Sequence, residues 1–422
     1  MQQLTRHLGF PGAVIVGLGS IIGTGVFVSI GIAAGVAGPA VVLAVLLGAL
    51  LATFNGLSSA QLAANYAVAG GTYAYGYRYL NPWLGFLAGW SFLVAKSASA
   101  ATAALGFGGY LLGLLGVHAP WALALLALAA TAGTTLVVLG GVRRSSATNL
   151  AIVSVTLFSL LLFVAAGLPS VRSANLVPLW PVGAGEGGWR ELLHATALMF
   201  VAYTGYGRVA TLGEEVRDPR RTIPWAIVTT LLVTLLLYAA VAVVGVGVVG
   251  ADALAEAQRG AAPLALAARS FALPGTALLV SIGAMTAMLG VLLNLVLGLS
   301  RVLFAMGRGG DVPAVTARLD ARGSPAVATL LVGGVIALLT LTGDVRTTWS
   351  FSAFFVLVYY ALTNLAALRL PAEERLYGPA VALSGLVACA GLAFFVETAV
   401  WLTGLGWLAL GLLWRLLWRQ TR

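Results

Sequence analysis

The sequence predicts an all-α polytopic membrane protein, and three observations predict it. Hydrophobic residues make up 60% of the chain and charged residues only 9%, where a soluble domain carries about 25% charged residues. Apolar runs long enough to cross a bilayer as helices recur from end to end, separated by short polar stretches. The 53 glycines suit helices that pack closely inside a membrane.

Other classes are set aside by composition. The formal charge of +10 comes from basic residues scattered singly and in pairs between apolar segments, which is a topological signal and not a nucleic-acid surface. A single cysteine, Cys389, excludes an internal disulfide and argues against a thiolate metal site. His7, His118 and His194 lie far apart near segment ends, as interfacial or loop residues do. No cofactor is expected. The longest polar stretches, 169–188 and 250–274, are too small for a soluble domain. Because many spans follow the first, the N-terminal run reads as an uncleaved helix and not a signal peptide.

The first spanning segment, 10–37, contains Gly17-Leu18-Gly19-Ser20-Ile21-Ile22-Gly23-Thr24-Gly25-Val26-Phe27, with four glycines in nine residues. Glycine costs a helix interior about 1 kcal/mol relative to alanine, so this is a built-in weak point. If the helix opens here, its freed amides and carbonyls need partners that hydrocarbon cannot supply, and a polar ligand in a protein-lined cavity can. Close helix packing through the Gly19–Gly23 pair is the alternative.

Eleven more segments follow, at 39–64, 82–115, 120–140, 146–168, 190–214, 224–250, 274–306, 325–342, 347–369, 378–396 and 399–418. Pro39, Pro82, Pro120, Pro224, Pro325 and Pro379 fall near their starts, where a missing N–H is harmless. The eleventh and twelfth carry less polar content and read as peripheral. With the N-terminus inside, fifteen arginines fall on the cytoplasmic side and five on the other, which satisfies the positive-inside rule. An even number of spans then puts both termini in the cytoplasm, and the location is expected to be a bacterial-type plasma membrane.

The sixth segment answers the first. Phe200-Val201-Ala202-Tyr203-Thr204-Gly205-Tyr206-Gly207 again places small and hydroxylated residues in mid-span, five segments later and in a span running the opposite way. Matched interruptions in corresponding helices of two halves point to a binding site near the membrane midplane.

These stretches bring a resemblance. Gly19 to Phe27, Ala69-Gly70-Gly71-Thr72-Tyr73, Gly85-Phe86-Leu87-Ala88-Gly89-Trp90, and the run from Phe200 through Glu214-Glu215-Val216-Arg217-Asp218-Pro219 to Pro224 resemble the amino acid–polyamine–organocation (APC) superfamily of permeases. So does Ser300-Arg301-Val302-Leu303-Phe304-Ala305-Met306 with Gly309 and Pro313. The resemblance covers segments one to ten. It implies two inverted five-helix repeats, 1–170 and 171–370, followed by two extra helices in 371–422, with helices one and six broken at the midplane. It implies a secondary transporter of an amino acid, whose carboxylate would sit on helix-one amides around Ile22, Gly23, Thr24, Gly25 and Val26. The ammonium would face freed carbonyls, with Phe200, Ala202, Tyr203, Thr204 and Gly205 lining the helix-six side.

The chain departs from the family pattern twice. Many relatives carry an acid after the Gly-Phe of helix six, where Gly207 stands here after Tyr206. Proton-linked relatives often carry a lysine in helix five, where Thr156 stands. The one lysine is Lys96, about 21 Å along segment three from Pro82 at 1.5 Å per residue. An ionisable group at such depth is a functional candidate, and Lys96 is expected to carry proton coupling in place of the missing lysine. Fixed-cation exchange without net proton movement is the competing idea.

Tyr206, Tyr203 and Phe200 are candidate gating aromatics, and Glu214 and Glu215 with Arg217, Arg220 and Arg221 are expected to form a cytoplasmic latch. Ser281, Thr286 and Asn294 are weaker candidates for holding sodium. With no acid in the helix-six pocket segment, the expected substrate is a small amino acid with a neutral side chain; a cationic amino acid or polyamine is the alternative. An enzyme would need a catalytic constellation that the spans lack, and a nutrient sensor would bring a signalling domain.

Overall fold

The computed structural model describes residues 9–66, 70–117, 119–141, 146–180, 188–210, 216–257, 260–321, 323–341 and 344–420. Local chemistry sets several helix starts. Proline occupies the first turn of α1 (Phe10–Ile21), α6 (Pro82–Leu115) and α7 (Pro120–Leu139), where its missing N–H is harmless. Asn81 adds a cap on α6, its side chain accepting from the Leu84 N–H at 2.9 Å. Between α1 and α6 lie the single turn α2 (Thr24–Phe27), α3 (Ser29–Ala37), α4 (Val41–Asn65) and the short α5 (Thr72–Tyr79).

After α8 (Ser146–Gly167) the chain enters α9 (Trp189–Tyr203), a 3₁₀ turn at Thr204–Tyr206, and the single turn α10 (Gly207–Ala210). Then follow α11 (Pro219–Val249), α12 (Ala251–Ala257), α13 (Pro263–Arg269), α14 (Thr276–Arg308), α15 (Ala326–Thr340), α16 (Val345–Leu368), α17 (Pro379–Leu392) and α18 (Thr398–Gln420). One expectation shifts: the seventh long helix begins at Pro219, and Pro224 lies inside its first turns. Among the described residues, eight helical stretches are long and apolar enough to cross a bilayer, and α1, α15 and α17 are shorter apolar helices.

The long helices α14 and α16 each pack on α6, and α4 packs against both α9 and α11. Glycine permits the closest approaches. A methyl on Gly109 of α6 would fall 2.3 Å from the Gly260 carbonyl, so the residues after α12 lie directly against α6.

The two C-terminal helices are tied to the bundle by specific polar contacts. Arg415 of α18 is 1% exposed and pairs with Asp311, in the turn after α14, at 3.2 Å. Tyr77 and Tyr73 of α5 donate to the other oxygen of Asp311 at 2.6 and 3.0 Å. Burial, then the bond to Asp311, push the Tyr77 hydroxyl up to about 12, so it remains a donor at neutral pH. Trp414 and Trp418 donate to the Asp311 and Gly310 carbonyls. From α17, Cys389 reaches Asn55 of α4, which also accepts from Asn364 of α16 at 2.6 Å.

Candidate functional site

The first segment leaves helical geometry at Ile22, where ψ is 110°, and at extended Gly23; it turns once as α2 and becomes irregular again at Val28. The irregular residues Ile22–Gly23 and Val28 therefore bracket the turn Thr24–Phe27. The sixth segment loosens at the 3₁₀ turn Thr204–Tyr206. The two interruptions touch. A methyl on Gly25 would lie 2.6 Å from the Ala202 Cβ, and one on Gly205 would lie 2.1 Å from the Ser20 carbonyl oxygen. These glycines let two backbones meet, and the meeting occurs where both helices depart from regular geometry.

Freed carbonyls must be satisfied in a low-dielectric interior, and buried hydroxyls do it. Tyr238 of α11 donates to the Ile21 carbonyl at 3.0 Å and lies 3.4 Å from that of Ala202. Tyr110 donates to Phe27 at 2.8 Å, Tyr360 to Thr204 at 3.3 Å, and Ser29 to Gly25. Trp349 donates its indole N–H to Leu198 at 3.0 Å.

Lys96 reaches this region from α6. Its ammonium donates to Thr204 Oγ1 at 2.9 Å, while the Thr204 hydroxyl donates to the Val201 carbonyl at the same distance. Its Nζ also lies 5.9 Å from the centre of the Tyr359 ring.

A cavity of about 340 Å³ opens between the interruptions, large enough for a small metabolite. Thr24, Gly25, Ala202, Thr204 and Gly205 line it together with Lys96 and Tyr360. Gly70, Gly71, Thr72, Arg208 and Arg301 line it as well. Nearby, α3 packs on α9 and α12. The described lining contains three basic side chains and no carboxylate.

Other expected residues are placed elsewhere. Phe200, Tyr203 and Tyr206 are fully buried; Phe200 and Tyr206 each pack 5.6 Å from the Tyr360 ring, and Tyr203 lies 5.2 Å from Tyr238. Ile22 and Val26 are buried, and Gly23 faces Val291 of α14. Thr156 does not meet Lys96: it lines a separate small recess beside Leu18, Gly19 and Ile22, and its hydroxyl bonds back to the Ile152 carbonyl at 2.7 Å. Glu214 and Glu215 lie outside the described residues, and the Arg217 carbonyl accepts from Thr222 at 2.7 Å. Ser281 and Thr286 bond back to their own helix, whereas Asn294 lines the cavity.

Sequence reasoning missed Tyr238, Tyr360 and Trp349. The adjacent Tyr359-Tyr360 pair in an otherwise apolar span was the available signal; Tyr238 offered none, because an isolated tyrosine in a span reads as packing.

The sequence profile of the Amino acid permease family matches residues 12–416. An uncharacterized transporter of Mycobacterium tuberculosis is 40% identical over 394 residues, covering 93% of this chain and 87% of its own length. The Branched-chain amino acid permease BcaP of Bacillus subtilis is 29% identical, covering 97% of this chain and 92% of its own length. Cationic amino acid transporter 9, chloroplastic, of Arabidopsis thaliana is 32% identical, covering 75% of this chain and 58% of its own length.

Proposed function

The chain belongs to the amino acid permease family, a family of transporters and not enzymes, and on that footing we propose that it carries a small neutral L-amino acid across a membrane by alternating access. The observation that carries this reading is the cavity between the interruptions of α1–α3 and α9–α10, lined by Thr24, Gly25, Ala202, Thr204 and Gly205. Interrupted helices at mid-span present backbone groups to a polar ligand where regular helices cannot.

The lining by Gly70, Gly71, Thr72, Arg208 and Arg301, near segment ends that the arginine bias assigns to the cytoplasm, supports an inward-facing arrangement in a bacterial-type plasma membrane, with both termini inside. Two inverted five-helix units, 1–170 and 171–370, rock about the site, with 371–422 bracing them. Lys96 couples the cycle to protons, since it is a buried ionisable group bonded directly to the interrupted sixth helix. Exchange without ion coupling is the second mode, favoured if Lys96 remains a fixed cation.

A neutral substrate is preferred over a dibasic one because the described lining is basic and holds no carboxylate. Among the relatives, a branched-chain permease fits this reading better than a cationic transporter does. The test is uptake of labelled amino acids into proteoliposomes, with and without an inward proton gradient. Saturable uptake of a neutral amino acid supports the reading; no uptake of any common amino acid in either mode overturns it.

A further inference from the structure

Polar contacts fix how the long helices lie along the cavity. Thr102 donates to Thr348 at 2.8 Å and Ser99 pairs with Ser352 at 2.7 Å, so α6 and α16 run antiparallel. A methyl on Gly106 would fall 2.6 Å from the Met288 sulfur and one on Gly89 3.1 Å from that of Met306, so α14 is antiparallel to α6 as well. The α9 segment runs with α16, since Leu198 meets Trp349 and Thr204 meets Tyr360.

Given those directions, Ser99, Val201, Val291 and Trp349 are the last lining residues of their helices toward one end of the cavity. Three of them are apolar, and the hydroxyl of Ser99 is engaged by Ser352. Trp349 is the largest of the four and is held in place. It is 3% exposed, and its indole N–H donates to the Leu198 carbonyl at 3.0 Å.

The Lys96–Thr204 bond, at 2.9 Å, lies farther along the same two helices. Leu198 and Thr204 are six positions apart, roughly 9 Å at 1.5 Å per residue. A side chain in this interval meets Val201, Val291 and Leu295, and then the indole. A branched aliphatic group matches such walls. An aromatic ring would have to push the tryptophan off the Leu198 carbonyl, and overpacking of a close-packed interior is unfavourable.

We propose that Trp349 sets the upper limit on the size of the substrate side chain, so that aliphatic amino acids up to leucine are accepted and aromatic ones are rejected. The inference rests on the amino acid reading above and deepens it by naming the substrate class. The bond to Leu198 gives the limit its sharpness, because an indole that cannot rotate away cannot make room.

The test is competition binding of L-leucine and L-phenylalanine to the purified protein, read as the ratio of the two affinities. Wild type should prefer leucine by at least about tenfold, the lower end of what a single misfitting methylene costs in an apolar pocket. Trp349→Val, which opens the end of the cavity, should bring the ratio close to one by strengthening phenylalanine, a gain that itself reports a folded site. Trp349→Phe, which keeps an aromatic ring and deletes the bond to Leu198, should move the ratio part of the way. A ratio unchanged in both variants overturns the inference, whether or not uptake is lost with it, because the indole is then a gate or a packing element and not a size limit. So does a wild-type protein that binds phenylalanine as tightly as leucine, and so does the loss of all binding in both variants. If wild type binds neither these two nor alanine, the neutral amino acid reading fails and this inference falls with it.

Discussion

Arg415 and Asp311 form a buried ion pair at 3.2 Å, with side chains only 1% and 5% exposed, that joins the last helix to the turn after α14. The guanidinium is also stacked 4.9 Å from the Phe86 ring and donates to the Tyr77 hydroxyl at 2.9 Å. Tyr77 and Tyr73 belong to α5, whose Thr72 and Tyr75 line the cavity. The C-terminal helix thus braces one wall of the cavity mouth.

Removing one member of this pair strands the other. Arg415→Met is expected to destabilise the protein by about 3–5 kcal/mol, whereas combining it with Asp311→Asn should recover a large part of the loss. Unfolding midpoints of the single and double variants in detergent check this, and an Arg415→Met variant as stable as wild type would show that the pair is dispensable.

The contact between the two interruptions predicts a graded glycine series. A methyl on Gly205 meets a backbone carbonyl at 2.1 Å and one on Gly25 meets Ala202 at 2.6 Å, whereas one on Gly298, also in the cavity wall, meets nothing within 4 Å. Gly205→Ala and Gly25→Val should abolish substrate binding, overpacking of this kind costing roughly 1–3 kcal/mol or more, while Gly298→Ala should bind normally. Wild-type affinity in Gly205→Ala is the outcome that refutes the contact.

Tyr238 serves both interrupted helices from α11 with one hydroxyl. Tyr238→Phe keeps the ring against Tyr203 and deletes the bond to Ile21, so it should weaken substrate binding roughly fivefold, the value of about 1 kcal/mol for one hydrogen bond. Equilibrium binding isotherms measure it; an unchanged dissociation constant would mean that the Ile21 carbonyl needs no partner there.

Proton coupling is expected to fail in Lys96→Met even at saturating substrate, where any loss of affinity is compensated. Counterflow exchange should persist while gradient-driven accumulation disappears. Accumulation that survives, with its pH dependence intact, assigns coupling to another group.

The basic lining also predicts exclusion. L-Arginine and L-lysine in about 100-fold excess should leave neutral amino acid uptake unchanged, because placing like charges together in a binding site costs several kcal/mol. Effective competition by either would reverse the assignment of a neutral substrate.

Hydropathy, proline and glycine determined the membrane class, the places of the long helices and the two weak points at Gly23–Gly25 and Thr204–Gly207, because each of those signals acts within a few residues of itself. The place of Lys96 in the interior of α6 was equally legible, as a matter of counting along one helix. What tertiary structure decided was partnership. Lys96 finds Thr204 across 108 positions, and Arg415 finds Tyr77 across 338, through helix packing that no local pattern encodes. The helix-five position Thr156 bonds back to its own helix and lines a recess beside Leu18, Gly19 and Ile22, a neighbourhood that local pattern does not show. Likewise the pairing of Arg415 with Asp311 is invisible in the twelfth segment itself, since the desolvation of a charge depends on everything that surrounds it and not on its neighbours in sequence.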